Sequence, residues 1–345
     1  MNKNQKQVLQ YIIDHPLLSS KEIHKGLSIN IGYATVKRAL TSLQDAKHIA
    51  VQGAGRGTKY LISTSYAILH TIDVDHYFET EIDDRHIRAD FNLELIPSVL
   101  SDIPLFSEEE LNHLNALQTT YTDNIKTLSA AQYAQELERL AIDLSWKSSQ
   151  IEGNTYSLLE TERLLKEKET AAGKHKDEAT MLLNHKEAID FIITHPDYLS
   201  PIELRRIEDT HSILVKDLGI DRNIRNRRVG ISGTNYLPLD NEYQIREALL
   251  HTCTLVNAKT NVFEKSLLLL VLLSYIQAFN DGNKRTARIV SNACLMSNNY
   301  CPISFRTVDS MVYKKAMLIF YEQNNISAFK NIFIEQFEFA VKTYF

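Results

Sequence analysis

Glycine and proline are scarce in this chain, 11 and 7 among 345 residues. An all-β architecture, whose many turns need both, is disfavoured. Cysteine is scarcer still. Cys253, Cys294 and Cys301 cannot form a disulfide framework, and no C-x-x-C pair offers a structural zinc site. Reduced thiols in a cytoplasmic protein are the simple expectation. Long apolar runs are missing as well. The apolar, uncharged stretch Ser266–Asn280 is shorter than the roughly 18–20 apolar residues that span a bilayer. A basic-then-apolar signal pattern is absent from the N-terminus. Neither H-E-x-x-H nor G-x-S-x-G occurs, which removes the commonest metalloprotease and hydrolase signatures. What is present is ordinary globular usage, 44% hydrophobic and 23% charged, enough for a packed core and for two or three domains.

Charge is unevenly spread. Residues 1–65 carry nine basic and three acidic side chains, and residues 66–115 carry two basic and twelve acidic ones. A basic head on an acidic neck suggests separate partners for separate parts, against the plainer reading of two solvated faces. In the head, Val8, Leu9, Ile12 and Ile13 form a helical stripe that His15-Pro16 ends. Ser19-Ser20-Lys21-Glu22 is a capping box opening a second helix. Val36, Ala39, Leu40 and Leu43 mark a third. Two short β-like runs, Ile49–Val51 and Tyr60–Ile62, flank a basic glycine-rich tip. Three helices and a hairpin resemble a winged helix-turn-helix. The resemblance implies DNA contacts from Tyr33, Thr35, Lys37 and Arg38 on the third helix and from Arg56 and Lys59 on the wing. A protein-binding or dimerising head is the alternative.

Residues 66–120 read as an acidic connector with helical pieces, punctuated by Pro97 and Pro104. From residue 121 the pattern is helical, as in Tyr133, Leu137, Leu140, Ala141 and Leu144. The chemistry gathers at residues 277–288, Q-A-F-N-D-G-N-K-R-T-A-R, between an apolar helix (267–276) and a second one expected over 289–296. A helix start offers free N–H groups and partial positive charge. Gly282 lets the backbone approach closely, Arg285 and Arg288 share a face, and Asp281 is placed to hold a divalent cation against phosphates. This is a candidate polyphosphate site; the bland reading is a helix cap with surface arginines.

At these residues the sequence resembles the Fic (Fido) family, whose signature is H-x-F-x-[DE]-G-N-[GK]-R-x-x-R. Upstream, Ser148-Ser149-Gln150-Ile151-Glu152-Gly153 resembles the family's inhibitory helix pattern [ST]-x-x-x-E-[GN], here 145–153. Residues 225–238, with Gly230-Ile231-Ser232-Gly233 and Tyr236, resemble the family's flap. The resemblance implies a mainly α protein: an all-α Fic-like domain over 121–345 with a β-hairpin flap, preceded by a small α+β winged helix. It further implies ATP and Mg²⁺ as ligands and AMP transfer to a protein hydroxyl. Gly282, Asn283, Lys284, Arg285 and Arg288 would hold the phosphates and Asp281 the metal. Glu152, with Ser148 and Gly153, would occupy the γ-phosphate's place on Arg288; as an alternative, Glu152 and Gly153 are merely a helix end. The flap would pin an extended target segment by strand addition.

The departure is Gln277, which stands where the family has its histidine. Glutamine has no titratable nitrogen near neutral pH and cannot take the proton of an attacking hydroxyl. The expected function is therefore a self-inhibited, catalytically impaired adenylyltransferase-like protein. The alternative is a DNA-binding regulator whose degenerate Fic domain is a nucleotide sensor or scaffold. Expected partners are a nucleotide, a target protein and DNA through residues 1–65, with no membrane; association into homo-oligomers is left open.

Overall fold

The computed structural model describes all 345 residues, which form two compact units: Met1–Thr71 with Gln323–Ser327, and Ile72–Glu322 with Ala328–Phe345. The smaller unit contains α1 (Lys3–Asp14), α2 (Ser20–Gly26), α3 (Tyr33–Asp45), β1 (Ile49–Gln52), β2 (Lys59–Ile62) and α4 (Thr64–Leu69). Its core is the predicted stripe: Val8, Leu9 and Ile12 against Ile23, Val36, Leu40 and Leu43. Ser19 caps α2 as its sequence dictates, with the reciprocal bond from Glu22. The strands pair antiparallel, Ile49 opposite Ile62 and Gln52 opposite Lys59, and make the only sheet in the protein.

The larger unit is helical. It runs through α5 (Val74–Tyr77), a π-helical turn at Leu95–Val99, and α6 (Glu108–Thr127), which crosses residue 120 unbroken. There follow α7 (Ala130–Ile151), α8 (Leu158–Glu167), α9 (Lys176–Thr194), α10 (Leu204–Leu214) and α11 (Glu242–Ala258). Then come α12 (Val262–Ile276), α13 (Asn283–Ser297), α14 (Ser310–Gln323) and α15 (Ser327–Tyr344). α12 is apolar all round and every residue from Leu267 to Ile276 is buried, as an all-round apolar helix must be. Its one acidic residue, Glu264, is buried but satisfied by the Leu105 N–H at 2.7 Å and Lys259 at 3.2 Å. No helix is long and apolar enough to cross a membrane.

Two expectations are corrected. The second helix of the motif starts at Asn283 rather than 289, so Arg285 and Arg288 lie in its first two turns. The helix begins early because Gly282, at φ +81°, supplies the left-handed turn that lets it start there. The flap is not a β-hairpin. Residues 225–238 make no ladder with each other; they form a loop with a turn at Ser232-Gly233 and a single parallel bridge from Leu237 to Asp90. Their hydrogen bonds go to other segments, as described below.

Candidate functional site

Three helix ends meet at the motif. The C-terminus of α7 delivers Glu152. The helix stops there because Gly153 takes φ +101°, with its N–H bonded to the Gln150 carbonyl and the Asn154 N–H to the Ser149 carbonyl. The C-terminus of α12 delivers Gln277, itself in the left-handed region at φ +52°. The N-terminus of α13 points between them, and no side chain caps its first turn. A cleft of about 530 Å³ opens here, lined by Glu152, flap residues 230–233, Gln277, Lys284 and the α14 residues Tyr313 and Tyr321.

The turn is held by two residues. Arg225 closes the end of α12: its Nε donates to the Gln277 carbonyl at 2.5 Å, and its backbone N–H to Ala278 at 3.0 Å. The run of arginines at 222–228 is thus structural at Arg225. Asn283 turns inward, accepting from the Phe279 N–H (2.8 Å) and donating to its carbonyl (2.7 Å) and to Gln277 Oε1 (3.2 Å). Gln277 Nε2 donates to the Ser274 carbonyl at 2.7 Å and to the Tyr321 hydroxyl at 3.4 Å. The amide is therefore a fixed part of the turn.

Arg288 is fully buried. Its Nε donates to Ser148 Oγ at 2.8 Å, and its Nη2 to the Ser148 carbonyl at 3.1 Å and to Glu152 Oε1 at 2.6 Å. Lys284 approaches Glu152 Oε2 at 3.3 Å. Burial alone would raise the Glu152 carboxyl, but the Arg288 guanidinium and Lys284 ammonium outweigh it and hold it below the usual carboxylate range. Arg288 Nη1 is buried without a hydrogen-bond partner, so part of its donor capacity remains unspent beside the carboxylate.

The predicted residues do not all face the cleft. Arg285 is buried away from it, its Nη2 on Asp281 Oδ2 at 3.0 Å and its Nη1 toward the Leu214 carbonyl. Asp281 is exposed and also accepts from the Gly282 N–H at 2.6 Å. No group of three metal-binding side chains exists, so Asp281 is a lone carboxylate. That fits Mg²⁺ only in company with phosphate oxygens, which is how Mg²⁺ is commonly held. In the flap, Gly230, Ile231, Ser232 and Gly233 line the cleft. Tyr236 is an anchor instead, buried and stacked on Tyr275 at 4.9 Å.

In the smaller unit Lys37, Arg38 and Arg56 are exposed, while Tyr33 and Thr35 are half-buried. Tyr33 bonds Ser20 at 2.8 Å. Lys59 is bound to Glu22 at 2.7 Å, an ion pair that brings the Glu22 carboxyl down to about 2. Two of the six predicted DNA contacts are thus engaged within the domain.

Sequence reasoning missed two buried histidines behind the motif, because nothing local marks them. His211 of α10 stacks on Phe279 with ring centroids 3.7 Å apart, and its Nδ1 meets Thr286 Oγ1 at 3.3 Å. Both ring nitrogens of His185 in α9 lack a partner. Burial, then the nearby Arg288 and Arg285, hold His185 well below its ordinary value. Burial and Arg285 bring His211 from 6.5 to about 4. A folded-state value below the unfolded one means the unfolded chain takes the proton first. Stability is then full above pH 6.5 and lost as pH falls toward 4, by about 3 kcal/mol for His211. Denaturant titrations between pH 7.5 and 5 should show about 2 kcal/mol of this loss, and His211→Gln should flatten the slope by about one proton. An unchanged slope would remove the assignment.

Residues 201–295 match the model of the Fic/DOC family, so the chain carries a Fic/DOC domain there. No curated protein matches the sequence. Among solved structures, Fic-1 (residues 134–508) from C. elegans is similar with a TM-score of 0.60 and 18% identity, covering 68% of this chain and 72% of that one. A Fic domain containing signaling protein from Bacteroides thetaiotaomicron VPI-5482 has a TM-score of 0.57 and 19% identity, covering 67% and 95%. A Fic family protein from Desulfovibrio desulfuricans G20 has a TM-score of 0.58 and 17% identity, covering 69% and 74%. At these identities the likeness is one of fold.

Proposed function

We propose that the larger unit binds ATP at the start of α13, that Glu152 competes for the same place, and that AMP transfer is impaired by Gln277. The observation that carries this reading is the Glu152 carboxylate seated on buried Arg288 at the uncapped N-terminus of α13. An uncapped helix start, a buried arginine and Lys284 make an anion site. An internal carboxylate now fills it. In AMP transfer a hydroxyl oxygen bonds to the α-phosphorus, pyrophosphate leaves, and the hydroxyl proton must go to a base. Gln277 has no nitrogen that can take it. Mg²⁺ held by Asp281 with the nucleotide would neutralise phosphate charge. Residues 229–232 of the flap would pair with an extended target segment. Titration calorimetry with ATP and Mg²⁺ tests the reading: Glu152→Gly should bind at least about tenfold more tightly than native protein, as expected for releasing one charge-assisted contact. Equal affinities would remove the self-inhibition, and no binding in either would leave a scaffold.

The exposed Lys37, Arg38 and Arg56 favour a second role, DNA binding by the smaller unit as a winged helix. Binding should weaken steeply with salt, because phosphate contacts release counterions. Lys37→Ala or Arg38→Ala should lose more on a preferred sequence than on random DNA. Arg56→Ala should weaken both alike, since a phosphate contact carries no base information. Salt-insensitive or absent binding by the full chain would favour a protein-binding head.

A further inference from the structure

The acidic segment preceding α6 carried no chemistry in the sequence, yet it runs along the flap. Asn235 Nδ2 donates to Asp83 Oδ1 at 2.9 Å. Arg85 Nη2 donates to the Gly233 carbonyl at 2.9 Å, and its Nη1 reaches Glu322 Oε2 at 3.2 Å. The Leu237 N–H donates to the Ala89 carbonyl at 2.7 Å, where Asp90 and Leu237 form a parallel bridge. Just beyond, Phe91 stacks on Tyr275 at 4.6 Å and the Asn92 N–H donates to the Tyr275 hydroxyl at 2.9 Å. Tyr275 is the residue on which flap Tyr236 also stacks.

We propose that residues 82–92 are a built-in strap that fixes the flap, with Arg85 as its positioning residue. A loop of this length without a ladder of its own has little to hold its backbone in one place. Here the contacts that hold it come from a segment some 150 residues away in sequence. Arg85 is suited to the task. Its side chain is 5% exposed, and its planar fork joins a flap carbonyl to the fully buried carboxylate of Glu322. Glu322 is itself fixed, accepting from the Tyr77 hydroxyl at 2.6 Å while its backbone carbonyl accepts from the Arg88 N–H at 2.8 Å. The strap meets the flap at Gly233, Asn235 and Leu237. The backbone of residues 229–232 makes no hydrogen bond, and this stretch borders the cleft, so it offers an open edge to an extended partner. That last consequence rests on the flap reading under Proposed function; the strap itself does not.

Hydrogen exchange followed by mass spectrometry on the full chain tests the strap without reference to nucleotide or activity. In Arg85→Ala, the bonded amides of Tyr236 and Leu237 should exchange roughly tenfold faster, the effect of losing one charge-assisted hydrogen bond, while those of α12 and α13 keep native rates. Arg85→Lys, which reaches one acceptor instead of two, should recover part of the protection. Unchanged flap exchange, or the same acceleration throughout the unit, would overturn the proposal. Glu322 loses its charge partner in Arg85→Ala, so the exposed pair Asp83 and Asn235 gives a second route. Asp83→Ala and Asn235→Ala should each loosen the flap, and the double variant should loosen it no more than either. Additive effects, or none, would overturn the strap as well.

Discussion

Glu152→Gly, Gln277→His protein should transfer AMP from ATP at least about 10²-fold faster than Glu152→Gly alone, the ordinary worth of a general base. The turn that carries position 277 is prepared for this exchange. Its backbone is fixed by Arg225 on the 277 carbonyl and by Asn283 on Phe279, so an imidazole would start from a preset Cα position. The glutamine side chain gives up bonds to Ser274, Tyr321 and Asn283. Those at Tyr321 and Asn283 are long. Labelled ATP and detection of protein-bound AMP measure the outcome. Transfer already present in native protein would mean that another group accepts the proton. Silence in every variant would make a bound nucleotide a ligand and not a substrate.

The second large effect is on stability. Removing Glu152 leaves the fully buried Arg288 with its Ser148 hydrogen bonds and the Tyr313 ring 5.2 Å away, but no carboxylate. Breaking a buried ion pair by deleting one member costs about 3–5 kcal/mol. The lower end applies here because the Glu152 side chain is 20% exposed and water can partly replace it. For a unit of this size about 3 kcal/mol corresponds to a fall in Tm of roughly 6–12 °C. ATP with Mg²⁺ at about 100 times Kd should return about 2.7 kcal/mol of that. Arg288→Ala should be destabilised by a similar amount and gain nothing from nucleotide, since the arginine that would meet the phosphate is gone. Thermal unfolding with and without nucleotide separates the cases. A Glu152→Gly protein as stable as native would mean that the 2.6 Å contact contributes nothing to the fold.

Local signals located much of this architecture. The stripe of Val8, Leu9 and Ile12, the Ser19 capping box and the apolar run into α12 each depend on residues a few positions apart, and each stands where its pattern put it. The meeting of Glu152 with Arg288, 136 residues apart, came only from a resemblance in pattern, because no periodicity speaks across that distance. Three features stayed hidden. Arg285 looked like a phosphate ligand, but the rotation of α13 turns it toward Leu214. His185 and His211 are buried by helices that approach the motif from elsewhere in the chain. The hairpin that the family resemblance implies for the flap is absent, because the Leu237 N–H pairs with the Ala89 carbonyl instead. In each case the deciding contact is tertiary, which sequence spacing does not encode.

The way the turn is held has a consequence beyond mechanism. Arg225 and Asn283 secure the backbone around position 277 through main-chain atoms, by bonds that do not need the glutamine side chain. Glutamine and histidine codons differ by one nucleotide. On the reading proposed above, a lineage carrying this domain is therefore one point mutation from gaining or losing the base at position 277, without passing through an unfolded form.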